Sequence, residues 1–135
     1  MNPPPVRRRS GRGWGRGSDR GSAEPLFILP IVFVMVVGVV QVGVWAHAQH
    51  RAQAIASQTL AAARAYDGST ALARERAEQA QTQLGGRVLR RVEVEVDRTV
   101  EAARVQVTAR SASLLPGVGL PVSSEMSGPV EHLTP

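Results

Sequence analysis

The stretch LFILPIVFVMVVGVVQVGVWAHA, residues 26–48, is an apolar run without a single acidic or basic charge, and its one amide is Gln41. A helix of this length extends about 34 Å at about 1.5 Å per residue, while the hydrocarbon core of a bilayer is about 30 Å thick. We therefore predict one membrane-spanning helix. It divides the chain into a tail of residues 1–24, a span of residues 25–48 and a domain of residues 49–135.

Arginines are concentrated in front of this run. The tail contains only two acids, Asp19 and Glu24, against six of the 16 basic residues of the chain: Arg7, Arg8, Arg9, Arg12, Arg16 and Arg20. Basic residues on one flank of a span keep that flank in the cytoplasm. We therefore expect a single-pass plasma-membrane protein whose amino terminus is cytoplasmic and whose carboxyl-terminal domain is extracytoplasmic. The tail is otherwise rich in Pro, Gly and Ser, which predicts disorder.

The helical pattern continues beyond the apolar run. It forms a stripe of mostly small side chains at spacings of three and four residues: Ala52, Ile55, Ala56, Thr59, Ala63 and Tyr66. This stripe predicts one helix from about residue 25 to residue 66, opened by Glu24 and Pro25. The DGS sequence at 67–69 then breaks the helix, and Ser69 caps a second helix over residues 69–84 that ends at Gly85 and Gly86.

From Arg87 onward the hydrophobic period changes to two. Valines alternate with acids over residues 92–97 and with polar residues over residues 104–110, which predicts two antiparallel strands joined by a hairpin at residues 98–103. A third extended stretch, residues 114–122, is interrupted by prolines and glycines and is predicted to be at most an edge segment. The fold class is therefore α+β, with a long amino-terminal transmembrane helix, a second short helix and a small antiparallel sheet.

Chemistry-bearing motifs are sparse. His47 and His50 lie one helical turn apart, but no third metal ligand lies nearby in the sequence, so we expect no metal site. No nucleophile motif and no phosphate-binding glycine loop is present. We therefore expect no enzymatic activity, no cofactor and no small-molecule substrate. The side chain of Gln41 either donates to a neighbouring membrane helix or is simply tolerated in the span.

Two alternative functions follow from other features. The sequence Ala46-His47-Ala48 matches the signal-peptidase pattern, so cleavage after Ala48 would release a secreted binding domain. The arginines of the tail, together with Trp14, have the side chains that contact phosphates and stack on bases. Because the tail adjoins a membrane span, we interpret its charge as a topology signal and do not expect nucleic acid as a partner.

Several short sequences together resemble the TadE-like proteins, in their actinobacterial form. The resemblance extends over about residues 19–131 and rests on DRGSAE at 19–24, LP at 29–30, Gly38, QVG at 41–43, AAARA at 61–65, LLPG at 114–117 and PVE at 129–131. The most specific part is the DRGSAE sequence joined to the span.

This resemblance implies a pilin-like long helix and a structural role as a minor pseudopilin or assembly component of a Tad/Flp-type (tight-adherence) pilus or secretion system. Its partners would be the membrane and other pilin-like or Tad assembly subunits. The resemblance also implies cleavage by a prepilin-type peptidase after a cytoplasmic glycine, for which Gly21, followed by Ser22, is the candidate. Glu24 would either pair with the amino terminus of a neighbouring subunit or cap its own helix.

Overall fold

A computed structural model of the chain describes residues 1–2 and 20–132, with side chains for residues 1–2 and 25–132. The chain divides into two compact units, Met1–Val34 and Met35–Pro135. In the first unit, the described residues from Arg20 onward are helical, and the side chains from Pro25 onward are exposed. In the second unit, a helix, a short helix and a sheet share one hydrophobic core.

Helix α1 comprises Arg20–Arg64 and has 45 residues. It begins earlier than predicted, so the expectation that Pro25 opens the helix was wrong. Both Pro25 and Pro30 lie inside it, where each removes one backbone hydrogen bond because proline has no N–H. The segment Pro25–Arg64 is long and apolar enough to cross a membrane, and the side chains of residues 25–36 are exposed.

The predicted break and second helix are confirmed. Ser69 caps helix α2, Thr70–Ala80, because its Oγ accepts a hydrogen bond from the Leu72 amide at 3.1 Å. A π-helical turn, Gln81–Gly85, continues the helix, and Gly86 then ends it with a φ of 53°. A positive φ costs glycine little because it lacks a Cβ atom, which explains a glycine at this position.

A three-stranded antiparallel sheet completes the fold in the order β1-β2-β3. Strands β1, Leu89–Arg98, and β2, Ala102–Ser111, confirm the predicted hairpin. The third strand was misplaced: β3 is Pro121–Pro129, and residues 114–120 form a loop. The alternation in β3 is weak in the sequence, because a serine, Ser124, occupies one of its buried positions between Val122 and Met126. Prolines at the two ends of β3 suit an edge strand.

The inner face of the sheet forms the core with α1. The central strand β2 contributes alternating buried side chains, and most outer positions of the three strands are polar and exposed. On that outer face the register places Asp97 opposite Arg104. Arg104 nevertheless pairs with Glu125 of β3, with Nε 3.3 Å from Oε1. The described residues thus confirm an α+β fold with a long apolar helix, a short second helix and a small antiparallel sheet.

We predict that Gly68→Ala destabilises this fold. A Cβ atom at Gly68 would lie 2.8 Å from the Ala65 carbonyl oxygen and would also clash with the Ala62 carbonyl, and backbone atoms of a helix cannot move aside easily. The expected loss in the free energy of unfolding is about 1–3 kcal/mol, the usual cost of overpacking. Thermal unfolding followed by circular dichroism measures it. The control is Gly85→Ala, which meets no atom within 4 Å; equal melting temperatures for the two variants would contradict the prediction.

Candidate functional site

Gln41 connects the apolar helix to the folded domain. Its side chain is only 8% exposed, although it lies in the middle of the predicted span. Nε2 donates to the Ala112 carbonyl at 3.3 Å, and Oε1 accepts from the Leu114 amide at 3.1 Å. Neither sequence-based interpretation of Gln41 anticipated this contact, because the partner is a loop of the same chain rather than another helix or lipid.

Two further side chains continue this contact along the helix, one turn apart. Trp45 Nε1 donates to the Pro121 carbonyl at 3.0 Å, and Gln49 Nε2 donates to the Ser123 carbonyl at 2.6 Å. Residues at i, i+4 and i+8 lie on one face of a helix, so Gln41, Trp45 and Gln49 form a ladder of donors. Trp45 and Gln49 satisfy carbonyl groups of the edge strand β3, which would otherwise be open to pairing with another strand.

A second stripe on α1 packs into the core. Five of the six side chains predicted for it are fully buried, and Ala48 extends it towards the amino terminus. Tyr66 was wrongly included: it lies beyond the end of α1 and is 62% exposed. The alanines let the helix approach the valines of β2 closely, because a methyl group is the smallest side chain that still buries apolar surface.

The other end of α1 is held by arginines that the sequence did not single out. Arg98 of β1 donates from Nε to the Ala63 carbonyl at 2.7 Å, and Arg64 donates from Nε to the Pro129 carbonyl at 2.8 Å. Arg51, midway along the packed part of the helix, donates to the Leu84 carbonyl. These bonds satisfy carbonyls at helix and strand ends, where intra-element partners are missing. Spacing alone gives no signal for them, since every pair is distant in sequence.

The residues proposed for processing and topology are only partly described. Arg7, Arg8, Arg9, Arg12 and Arg16 lie outside the described residues. Arg20, Gly21, Ser22 and Glu24 belong to α1, but their side chains are not described. Ala46 is half-buried, and Ala48, the last residue before the alternative cleavage site, is 0% exposed within the core. The structure therefore brings Ala48 together with the sheet and does not test the roles of the other residues.

The two histidines make different contacts. His47 Nε2 accepts a hydrogen bond from Arg51 Nε at 3.0 Å, and His50 is exposed. Within residues 25–132, the structure shows no group of three or more His, Cys, Asp or Glu side chains that could hold a metal ion.

We predict that Ala52→Leu disrupts the seam between α1 and the sheet. Ala52 is fully buried, so the longer side chain forces the helix and sheet apart at a cost of about 1–3 kcal/mol in the free energy of unfolding. Ala61→Leu, at an exposed position of the same helix, is the matched control and should be nearly neutral. Denaturant titration in detergent micelles compares the two variants, and equal midpoints would contradict the proposed close packing.

We also predict that Gln41→Leu loosens the loop that follows β2. The change leaves the Leu114 amide and the Ala112 carbonyl without partners, at a cost of about 1–3 kcal/mol. Hydrogen exchange of the Leu114 amide should become faster than in the wild type. The same substitution at exposed Gln53 should leave that exchange unchanged. An unchanged Leu114 exchange rate in Gln41→Leu would mean that the two hydrogen bonds do not hold the loop.

Comparison with known protein families finds a match on the long helix. The family model described as TadE-like protein matches residues 22–64, a segment that includes most of helix α1. No curated protein and no solved structure matches the chain significantly. The resemblance to TadE-like proteins predicted from the sequence is therefore confirmed for the long apolar helix.

Proposed function

We propose that the chain is a single-pass membrane protein that acts as a structural or assembly component, similar to a minor pseudopilin, of a Tad/Flp-type pilus or secretion system. The observation that carries this proposal is the TadE-like match over residues 22–64, which falls on a helix whose residues 25–36 expose a continuous apolar surface. Exposed apolar surface of this size belongs in lipid or against other helices, as in a pilin-like assembly. Its partners are then the membrane and other Tad subunits.

The arrangement in the membrane follows from charge. The arginine-rich residues 1–24 remain in the cytoplasm, the apolar helix of residues 25–48 enters the plasma membrane, and residues 49–135 lie outside. The packing of Gln41, Trp45 and Ala48 against the domain means that the last two turns of the apolar run also belong to the folded domain.

The contacts of α1 favour this anchored form over release of a secreted domain. Cleavage after Ala48 would remove Gln41 and Trp45 from their partners and would take Ala48 out of the core. The edge strand β3 would lose the Trp45 donor that covers its first carbonyl. A domain cut at this point has a smaller core and an opened edge, which favours aggregation over secretion.

The first test is the amino-terminal sequence of the protein in fractionated cells of its own host. We expect a membrane-bound species that begins at Ser22, and the variant Gly21→Leu should remain uncut. Gly17→Leu alters the other glycine that precedes a serine in the tail and is the matched control. A full-length membrane species would contradict processing while keeping the anchor, and a soluble species that begins at Gln49 would contradict the proposed function.

The second test is deletion of the gene. We expect loss of pili and of surface adhesion, both restored by the wild-type gene. Complementation with Glu24→Gln separates the two roles of this residue, with Glu75→Gln at an exposed position of α2 as the control for the same change. If Glu24 pairs with a neighbouring subunit, the variant inserts into the membrane but yields few pili. If Glu24 makes no such pair, pili are retained; because α1 begins at Arg20, Glu24 lies inside the helix rather than at its cap. Unchanged pili in the deletion strain would refute the pilus role.

A further inference from the structure

An exposed apolar loop lies beside the point where α1 joins the domain. We call residues 112–120 the LPGVG loop; its Leu114, Leu115 and Val118 are 56%, 50% and 46% exposed. The loop is ordered by its own backbone, since the Val118 amide donates to the Leu115 carbonyl at 3.3 Å and Gly117 adopts a φ of 83°. Three large aliphatic side chains presented by one turn form an unusual surface for a small domain in water.

The loop continues the apolar surface of the helix. Gln41 holds it through the two hydrogen bonds to Ala112 and Leu114, and the helix residues immediately before Gln41, including Val39 and Val40, are exposed. The same unit of the chain therefore exposes aliphatic side chains on the helix and on the loop at one end of the domain. A membrane or a partner that covers Val39 and Val40 can therefore also contact the loop.

Basic side chains surround the loop. Arg90, Arg91 and Arg110 line a cavity of about 400 Å³ together with Leu115 and other loop residues. All three are exposed, and the only ion pair among the described residues, Arg104–Glu125, does not include them. Buried Ser111 also lines this cavity, and its Oγ has no hydrogen-bond partner among the described residues. Guanidinium groups and a free hydroxyl beside an aliphatic tip match the chemistry of a phospholipid, with its phosphate above its acyl chains.

The length of the exposed apolar helix supports a lipid partner. Residues 26–40 number 15, because the next residue, Gln41, is already buried by the domain. They extend about 22 Å at about 1.5 Å per residue, which is less than the hydrocarbon thickness of about 30 Å. If residues 26–40 cross the bilayer, Val40 and the adjacent LPGVG loop must lie below the surface of the leaflet.

Building on the membrane anchoring proposed above, we propose that the LPGVG loop is a lipid-binding element. Leu114, Leu115 and Val118 enter the boundary between headgroups and acyl chains of the adjacent leaflet. Arg90, Arg91 and Arg110 bind phosphates of anionic lipids around them. The domain is thereby seated on the membrane in one orientation, with β3 and the packed half of α1 leading away from the surface.

Single-cysteine labelling tests this placement, because the chain contains no cysteine of its own. The full-length variants Val118→Cys, Val100→Cys and Val36→Cys carry an environment-sensitive fluorophore and are reconstituted one copy per nanodisc. Val100, 79% exposed, is the matched control. It lies in the β1–β2 turn, about 30 Å from the loop at about 3.3 Å per strand residue. Quenching by lipids that carry a nitroxide near the headgroup is compared with quenching by acrylamide in the water.

We expect lipid quenching of the Val118 label to exceed that of the Val100 label several-fold in discs that contain phosphatidylglycerol. Replacing Arg90 and Arg91 with glutamine should reduce the difference, and the same double change at Arg74 and Arg76 of α2 should not. Equal lipid quenching of the Val118 and Val100 labels would overturn the proposal. Protection of the Val118 label from acrylamide only when two copies share a disc would also overturn it, and would assign the loop to contact with a second copy. The Val36 label tests the anchor separately: if it is open to acrylamide, the membrane span itself fails.

Discussion

The close contact between an alanine-rich face of α1 and the inner face of the sheet is the constraint on which the rest of this structure depends. Ala48, Ala52, Ala56 and Ala63 are all fully buried, and the valines of β2 pack on the same core. Because these side chains are small, the core has little volume, and the described residues contribute no aromatic ring to it. The stability of the fold therefore depends on close packing of the helix on the sheet. Each buried methyl group stabilises the core through dispersion contacts with its neighbours as well as through the apolar area that it buries.

The ladder of Gln41, Trp45 and Gln49 has a different task on the neighbouring face of the same helix. Trp45 and Gln49 align α1 with the edge strand β3 by donating to the Pro121 and Ser123 carbonyls. Gln41 donates to the Ala112 carbonyl of the loop before that strand. Hydrogen bonds are directional, whereas apolar packing is not, so the ladder determines where along the sheet the helix lies. Together the alanine seam and the ladder make the helix part of the domain from Gln41 onward, although its sequence stays largely apolar as far as Ala48.

One helix therefore has two surroundings. From Pro25 to Val40 the described side chains are almost all exposed, and from Gln41 onward one face of the helix packs on the domain. This division suits a subunit that is held in a membrane by one end of a helix and presents a folded domain at the other. The TadE-like match falls on this helix, and the sheet supplies the exposed loop and the arginines that would orient the domain at a lipid surface.

The sequence alone determined the elements whose signals are local. The long apolar helix, the Ser69 cap and the two valine-alternating strands were predicted because hydrophobic periodicity and capping residues act within a few positions of each other. The start of α1 was misjudged at Pro25, and β3 was misplaced because one of its buried positions holds a serine. The apolar run up to Ala48 also gave no sign that part of it is covered by protein, since lipid and a protein core accept the same side chains.

Only the tertiary structure decided which contacts these residues make. The partners of Gln41 and Trp45 lie more than 70 positions away in the chain, and no spacing rule connects residues at such a separation. The arginines beside the LPGVG loop also come together only in the folded chain, because they belong to two strands that the sheet register places side by side. Local periodicity specifies the helices and most strands of this protein, and its candidate functional surface arises from the way that folding brings distant segments together.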